Sequence, residues 1–64
     1  MAISLKAARV NAELTQKQLA EKLGVSEFTI MNWESGRSEP KYSQFKKICD
    51  ACGVQMNDIF LPEA

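Results

Sequence analysis

Apolar residues recur along this chain at spacings of three and four, separated by short polar runs, a rhythm that predicts helices throughout. Leu5, Ala8 and Ala12 share a stripe with Arg9, so a first helix is expected from about Leu5 to Ala12 with Ser4 as its cap. Leu19, Ala20 and Leu23 form the buried face of a second, over about Gln16 to Leu23. Ile30 and Trp33 share an inward arc with Ser26 and place a third from about Glu27 to Ser35. Tyr42, Phe45, Ile48, Cys49 and Cys52 recur at offsets of three, six, seven and ten, one face of a fourth helix ending at Gly53. Val54 and Ile59 flank a short last helix, with Phe60 and Leu61 beside them and Pro62 as its stop. No strands, repeats or low-complexity segments are expected.

Local signals sharpen the bounds of the second and third helices. Thr15 and Gln18 have the spacing of a capping box, and Leu14 and Leu19 that of the accompanying hydrophobic staple. Ser26 repeats the cap for the third helix with Val25 and Ile30 as staple, and Gly36 supplies a left-handed residue at its end. Only Gly24 and Val25 intervene before that cap, so two short helices are joined by the sharp turn of a helix-turn-helix unit. The polar stretch from Ser35 to Ser43, punctuated by Gly36 and Pro40, is read as a loop.

This frame resembles the phage repressors, Cro proteins and wider xenobiotic-response-element regulators. The likeness covers roughly residues 3 to 61. It rests on Arg9, Thr15-Gln16, Leu19-Ala20, Leu23-Gly24-Val25-Ser26, Ile30, Trp33-Glu34-Ser35-Gly36, Pro40, Ile48, Gly53-Val54 and Asp58-Ile59-Phe60. It implies an all-α, compact five-helix bundle of the lambda-repressor-like kind that places its third helix in the major groove. It also implies that Arg9, an arginine interrupting an apolar stripe, pairs with Glu34 as a partly buried structural ion pair.

Sixty-four residues suit one domain, residues 1–64, whose small core must still bury about 60% of the unfolded surface. Its composition, 45% apolar and 25% charged, is that of an ordinary folded domain. No apolar run approaches a membrane span and the start lacks a signal-peptide centre, so a cytoplasmic location is expected. Eight basic and eight acidic residues cancel, which is unusual for a nucleic-acid binder. Phosphates respond to the local field, however, and Lys17, Arg37 and Lys41 fall where the resembled family touches the DNA backbone. Glu13, Asp50, Asp58 and Glu63 fall outside those segments, whereas Glu27 and Glu39 disturb the segregation.

On the third helix, Glu27, Phe28, Met31, Asn32 and Ser35 span the arc opposite Ile30 and Trp33. Asparagine can pair with adenine, phenylalanine can meet a thymine methyl and glutamate can accept from cytosine N4. The resemblance puts base reading on Glu27, Phe28 and Asn32, with Met31 as a neighbour, and phosphate contacts on Gln16, Lys17, Ser35, Arg37 and Lys41. Blander readings stand beside these: Asn32 as surface filler, Phe28 as a protein contact, Glu27 as a helix-start charge or a filter against wrong sequences, and the lysines as solvated.

Cys49 and Cys52 form a C-x-x-C pair, but on an apolar stripe near a helix C-terminus, where the dipole opposes thiolate formation, so core is the preferred reading. The chain has no histidine, and neither a metal site nor a cofactor is expected. No nucleophile has a partner at motif spacing, which argues against an enzyme. The expectation is a sequence-specific regulator of transcription, a repressor without an effector domain, that binds a pseudo-palindromic double-stranded operator as a homodimer. A toxin partner would fit if the chain were an antitoxin. The alternatives are a helix-turn-helix-shaped protein-interaction module that does not bind DNA, and a redox sensor acting through the two cysteines.

Overall fold

A computed structural model describes residues 2–61. Four α-helices run in order, α1 (Leu5–Asn11), α2 (Gln16–Leu23), α3 (Glu27–Ser35) and α4 (Tyr42–Cys52). The first three begin at a capping hydroxyl. The Ser4 hydroxyl accepts from the Ala7 amide at 3.1 Å, and Thr15 and Gln18 form the reciprocal capping box at 3.0 and 2.9 Å. Ser26 accepts from the Thr29 amide at 3.1 Å; it caps α3 from an exposed position rather than pointing inward with Ile30 and Trp33.

The helices meet around Leu5, Leu19, Ile30 and Ile48, one fully buried side chain from each. Ala8, Ala20, Trp33, Cys49 and Ile59 complete the core. Burying a leucine or isoleucine stabilises by about 1.5–3 kcal/mol, so these four contacts set the mutual positions of the helices. Leu23 and Ala12 are only half-buried. Tyr42, which the spacing puts on one face with Ile48 and Cys49, is 74% exposed at the first residue of α4.

The expected fifth helix is a single 3-10 turn, Met56–Asp58, followed by a two-residue strand. Too few residues separate Gly53 from Ile59 to offset the cost of nucleating an α-helix. Asp58 instead closes the turn, its carboxylate accepting from the Gln55 amide at 3.2 Å and its own amide donating back to the Gln55 carbonyl at 3.0 Å. Strands are present after all. β1 (Ile3–Ser4) and β2 (Ile59–Phe60) pair in parallel, Ile3 opposite Ile59 and Ser4 opposite Phe60. This ribbon ties the start of α1 to the segment after α4 and buries Ile59. The expected stop at Pro62 and the acid Glu63 lie outside the described residues.

Candidate nucleic-acid interface

The turn between α2 and α3 is built by Gly24, which adopts φ 74° and ψ 30°. Its amide donates to the Glu21 carbonyl, and the Val25 amide reaches the Ala20 carbonyl at 3.0 Å, which satisfies two of the orphan carbonyls of the helix end. Half-buried Val25 then packs on the core, fixing the angle at which α3 leaves.

Ile30 and Trp33 anchor the inner side of α3. At roughly 100° per residue, Met31, Ser35, Phe28 and Asn32 follow one another around the opposite side within a strip about 100° wide. Phe28 is 62% and Met31 47% exposed, an apolar pair facing outward on a surface helix. Glu27 is exposed at the N-terminal edge of this strip, and Asn32 is half-buried at its other side. The Asn32 carbonyl is heavily used, accepting from the Arg37 and Ser38 amides at 3.0 and 3.4 Å and from the Ser35 hydroxyl at 3.2 Å. These bonds, with Gly36 at φ 83°, fold the chain back at the end of α3 and set Arg37 beside the helix terminus.

Lys17, Ser35, Arg37 and Lys41 are all exposed. Lys17 sits in the first turn of α2, where helix amides favour an anion. Lys41 precedes α4, its amide held by Gln44 Oε1 at 2.9 Å, which leaves the ammonium group to extend outward. Gln16, expected at phosphate, has its side-chain Nε2 donating to Glu34 Oε1 at 3.0 Å. Glu34 in turn accepts from Arg9, Nε to Oε2 at 2.6 Å and Nη2 to Oε1 at 3.3 Å, and Arg9 Nη1 donates to the Leu14 carbonyl at 2.8 Å. The two charged side chains are 10% and 6% exposed, so this is a buried, fully hydrogen-bonded pair. Sequence reasoning missed the place of Gln16 in the network, for which no local signal exists.

Cys49 and Cys52 are free thiols. Burial pushes both up from the ordinary thiol value, helped at Cys49 by Asp50 and Asp58, and at Cys52 by Cys49 and Glu34 against the opposing Arg9. The thiolate needed for redox or metal chemistry is thus disfavoured at both. Among the described residues no cluster of three or more histidine, cysteine, aspartate or glutamate side chains could hold a metal ion. No helix is long and apolar enough to cross a membrane among them.

Residues 5–59 match the helix-turn-helix family. The chain is similar to an uncharacterized HTH-type transcriptional regulator of Methanocaldococcus jannaschii, 44% identical over 92% of this chain and 89% of that protein. It is also 37% identical to the HTH-type transcriptional activator BcrR of Enterococcus faecalis, over 92% of this chain but only 29% of that longer protein. Among solved structures it resembles the clp gene regulator ClgR of C. glutamicum, with a TM-score of 0.77 and 30% identity over 84% of this chain and 70% of that one.

Proposed function

The chain belongs to the helix-turn-helix family, and from that premise we propose that it binds double-stranded DNA sequence-specifically and regulates transcription, placing α3 in the major groove. The observation that carries the reading is the outward strip of α3, where Phe28, Met31 and Asn32 combine apolar and amide groups on a helix rigidly anchored by Ile30 and Trp33. A solvated surface has little use for that combination, whereas base edges present methyl groups and paired donors and acceptors. Glu27, Phe28, Met31 and Asn32 read bases. Lys17, Ser35, Arg37 and Lys41 hold phosphates, together with the backbone amides at the start of α2 and any capacity Gln16 retains beyond Glu34.

Within the family the chain groups with phage repressors, Cro proteins and xenobiotic-response-element regulators, and it acts as a repressor through this DNA-binding domain. One helix in one groove supplies limited specificity, so two copies occupy a pseudo-palindromic operator with half-sites about one helical turn apart. The similarity to proteins named as transcriptional regulators, one of them an activator, supports regulation of transcription, while the repressor role and the paired binding rest on the resemblance to phage repressors and Cro proteins. Selection of bound sequences from a random duplex library tests it. The expected result is a two-fold-related motif shifted by two copies of the chain; absence of any enriched motif would contradict it. The exposed Phe28 and Met31 also favour a second reading, a protein-interaction module, which predicts that absence.

A further inference from the structure

We infer that α3 reads thymine methyl groups and that the base pairs facing Phe28, Met31 and Asn32 are A·T, an inference that rests on the DNA-binding reading above. α3 carries no lysine or arginine, and its charged residues are Glu27 and Glu34. The commonest specific contact in the major groove, a cation on guanine O6 and N7, is therefore absent from the helix. The exposed cations Lys17, Arg37 and Lys41 lie instead on α2 and on the segment after α3, placed to complement phosphate charge.

What α3 does present is chemically narrow. Phe28 and Met31 are apolar, and the C5 methyl of thymine is the apolar group that base-pair edges offer in that groove. Set against a guanine edge instead, the same side chains would strip water from N7 and O6 without returning a hydrogen bond. Asn32 lies roughly 40° around the helix from Phe28. Its amide supplies both the donor and the acceptor that adenine N7 and N6 require. Side by side, Phe28 and Asn32 match the two edges of A·T pairs, the methyl and the adenine. Glu27, on the far side of Phe28, accepts from an exocyclic amine and leaves its own base pair open to adenine or cytosine.

The test begins by selecting duplexes with the wild-type chain and with Phe28→Ala and Met31→Ala, whose exposed positions let the fold persist, as circular dichroism would verify. Positions whose preference relaxes in a variant are the ones that side chain reads, and they should be A·T. Replacing their thymines with uracil removes the C5 methyl alone, and should weaken wild-type binding roughly fourfold per methyl contacted. Phe28→Ala should bind the thymine and uracil duplexes alike at its own position. G·C pairs at the relaxed positions, or equal wild-type binding of thymine and uracil duplexes, would overturn the inference while leaving DNA binding intact. Failure of the wild-type chain to enrich any duplex would overturn the DNA-binding reading and this inference with it.

Discussion

Gln16 Nε2 donates to Glu34 Oε1 at 3.0 Å, joining the first turn of α2 to the last turn of α3 through the carboxylate that also holds Arg9. Three helices thus converge on one acceptor. In the DNA-binding account this network fixes the start of α2, which meets phosphate, relative to α3, which meets bases.

Glu34→Gln should therefore destabilise the fold as well as disturb binding. It leaves the Arg9 guanidinium buried without its counter-charge, an effect of about 3–5 kcal/mol. Urea denaturation measures it. A loss under about 1 kcal/mol would show the pair behaving like a solvent-screened surface bridge.

Glu13 gives the opposite sign. It is the one non-glycine residue with positive φ among those described, at 60°. It occupies the left-handed position at the end of α1, with its amide on the Val10 carbonyl and the Leu14 amide on that of Arg9. Glu13→Gly should remove the clash of Cβ with the backbone and stabilise by about 0.5–1 kcal/mol, net of the entropy glycine adds to the unfolded chain. Thermal unfolding should shift upward by a few degrees; a fall would mean that the Glu13 side chain contributes more than its backbone costs.

The ends of α2, α3 and α4 are legible in the sequence because their signals are local: Thr15 with Gln18, Ser26, Gly24, Gly36 and Gly53 each act within a few residues. The left-handed residue after α1 is a glutamate, Glu13, so that helix end carries no such mark. The pairing of Ile3 with Ile59 joins residues far apart in the chain, and two residues show no alternation from which a strand could be read. Periodicity gives the angular face of Tyr42 but not whether anything lies above it. The outward strip of α3 is legible for the same reason that α3 itself is, since angle follows from position. Gln16 is not, because its partner comes from another helix.

The thiols should make stability fall in alkali. Burial raises both above the ordinary thiol value, so the folded state keeps its protons while the unfolded chain releases them. Stability is then level below the unfolded thiol pKa of about 8.5 and is lost as pH rises from there toward the folded values. Replacing Cys52 with alanine should flatten part of this decline in denaturation curves taken between about pH 7 and pH 10. An unchanged slope would assign the decline to other groups.

Salt dependence of DNA binding should be moderate. Lys17, Arg37 and Lys41 give about six phosphate contacts in a dimer, and log affinity should fall against log salt with a slope near −5. A slope steeper than about −9 would bring Lys6, Lys22, Lys46 or Lys47, all exposed, into the interface.

If α3 reads bases while its flanking cations only position the protein, variants of the two groups should behave differently on two duplexes. Asn32→Ala, Phe28→Ala and Arg37→Ala would be titrated at a single salt concentration against the selected operator and a scrambled duplex. Asn32→Ala should lose about 1–3 kcal/mol on the operator, with Phe28→Ala weakened there as well, and both should bind the scrambled duplex nearly as the wild type does. Arg37→Ala should weaken both duplexes alike. Wild-type affinity of Asn32→Ala and Phe28→Ala for both duplexes would contradict the account and remove α3 as the reading element.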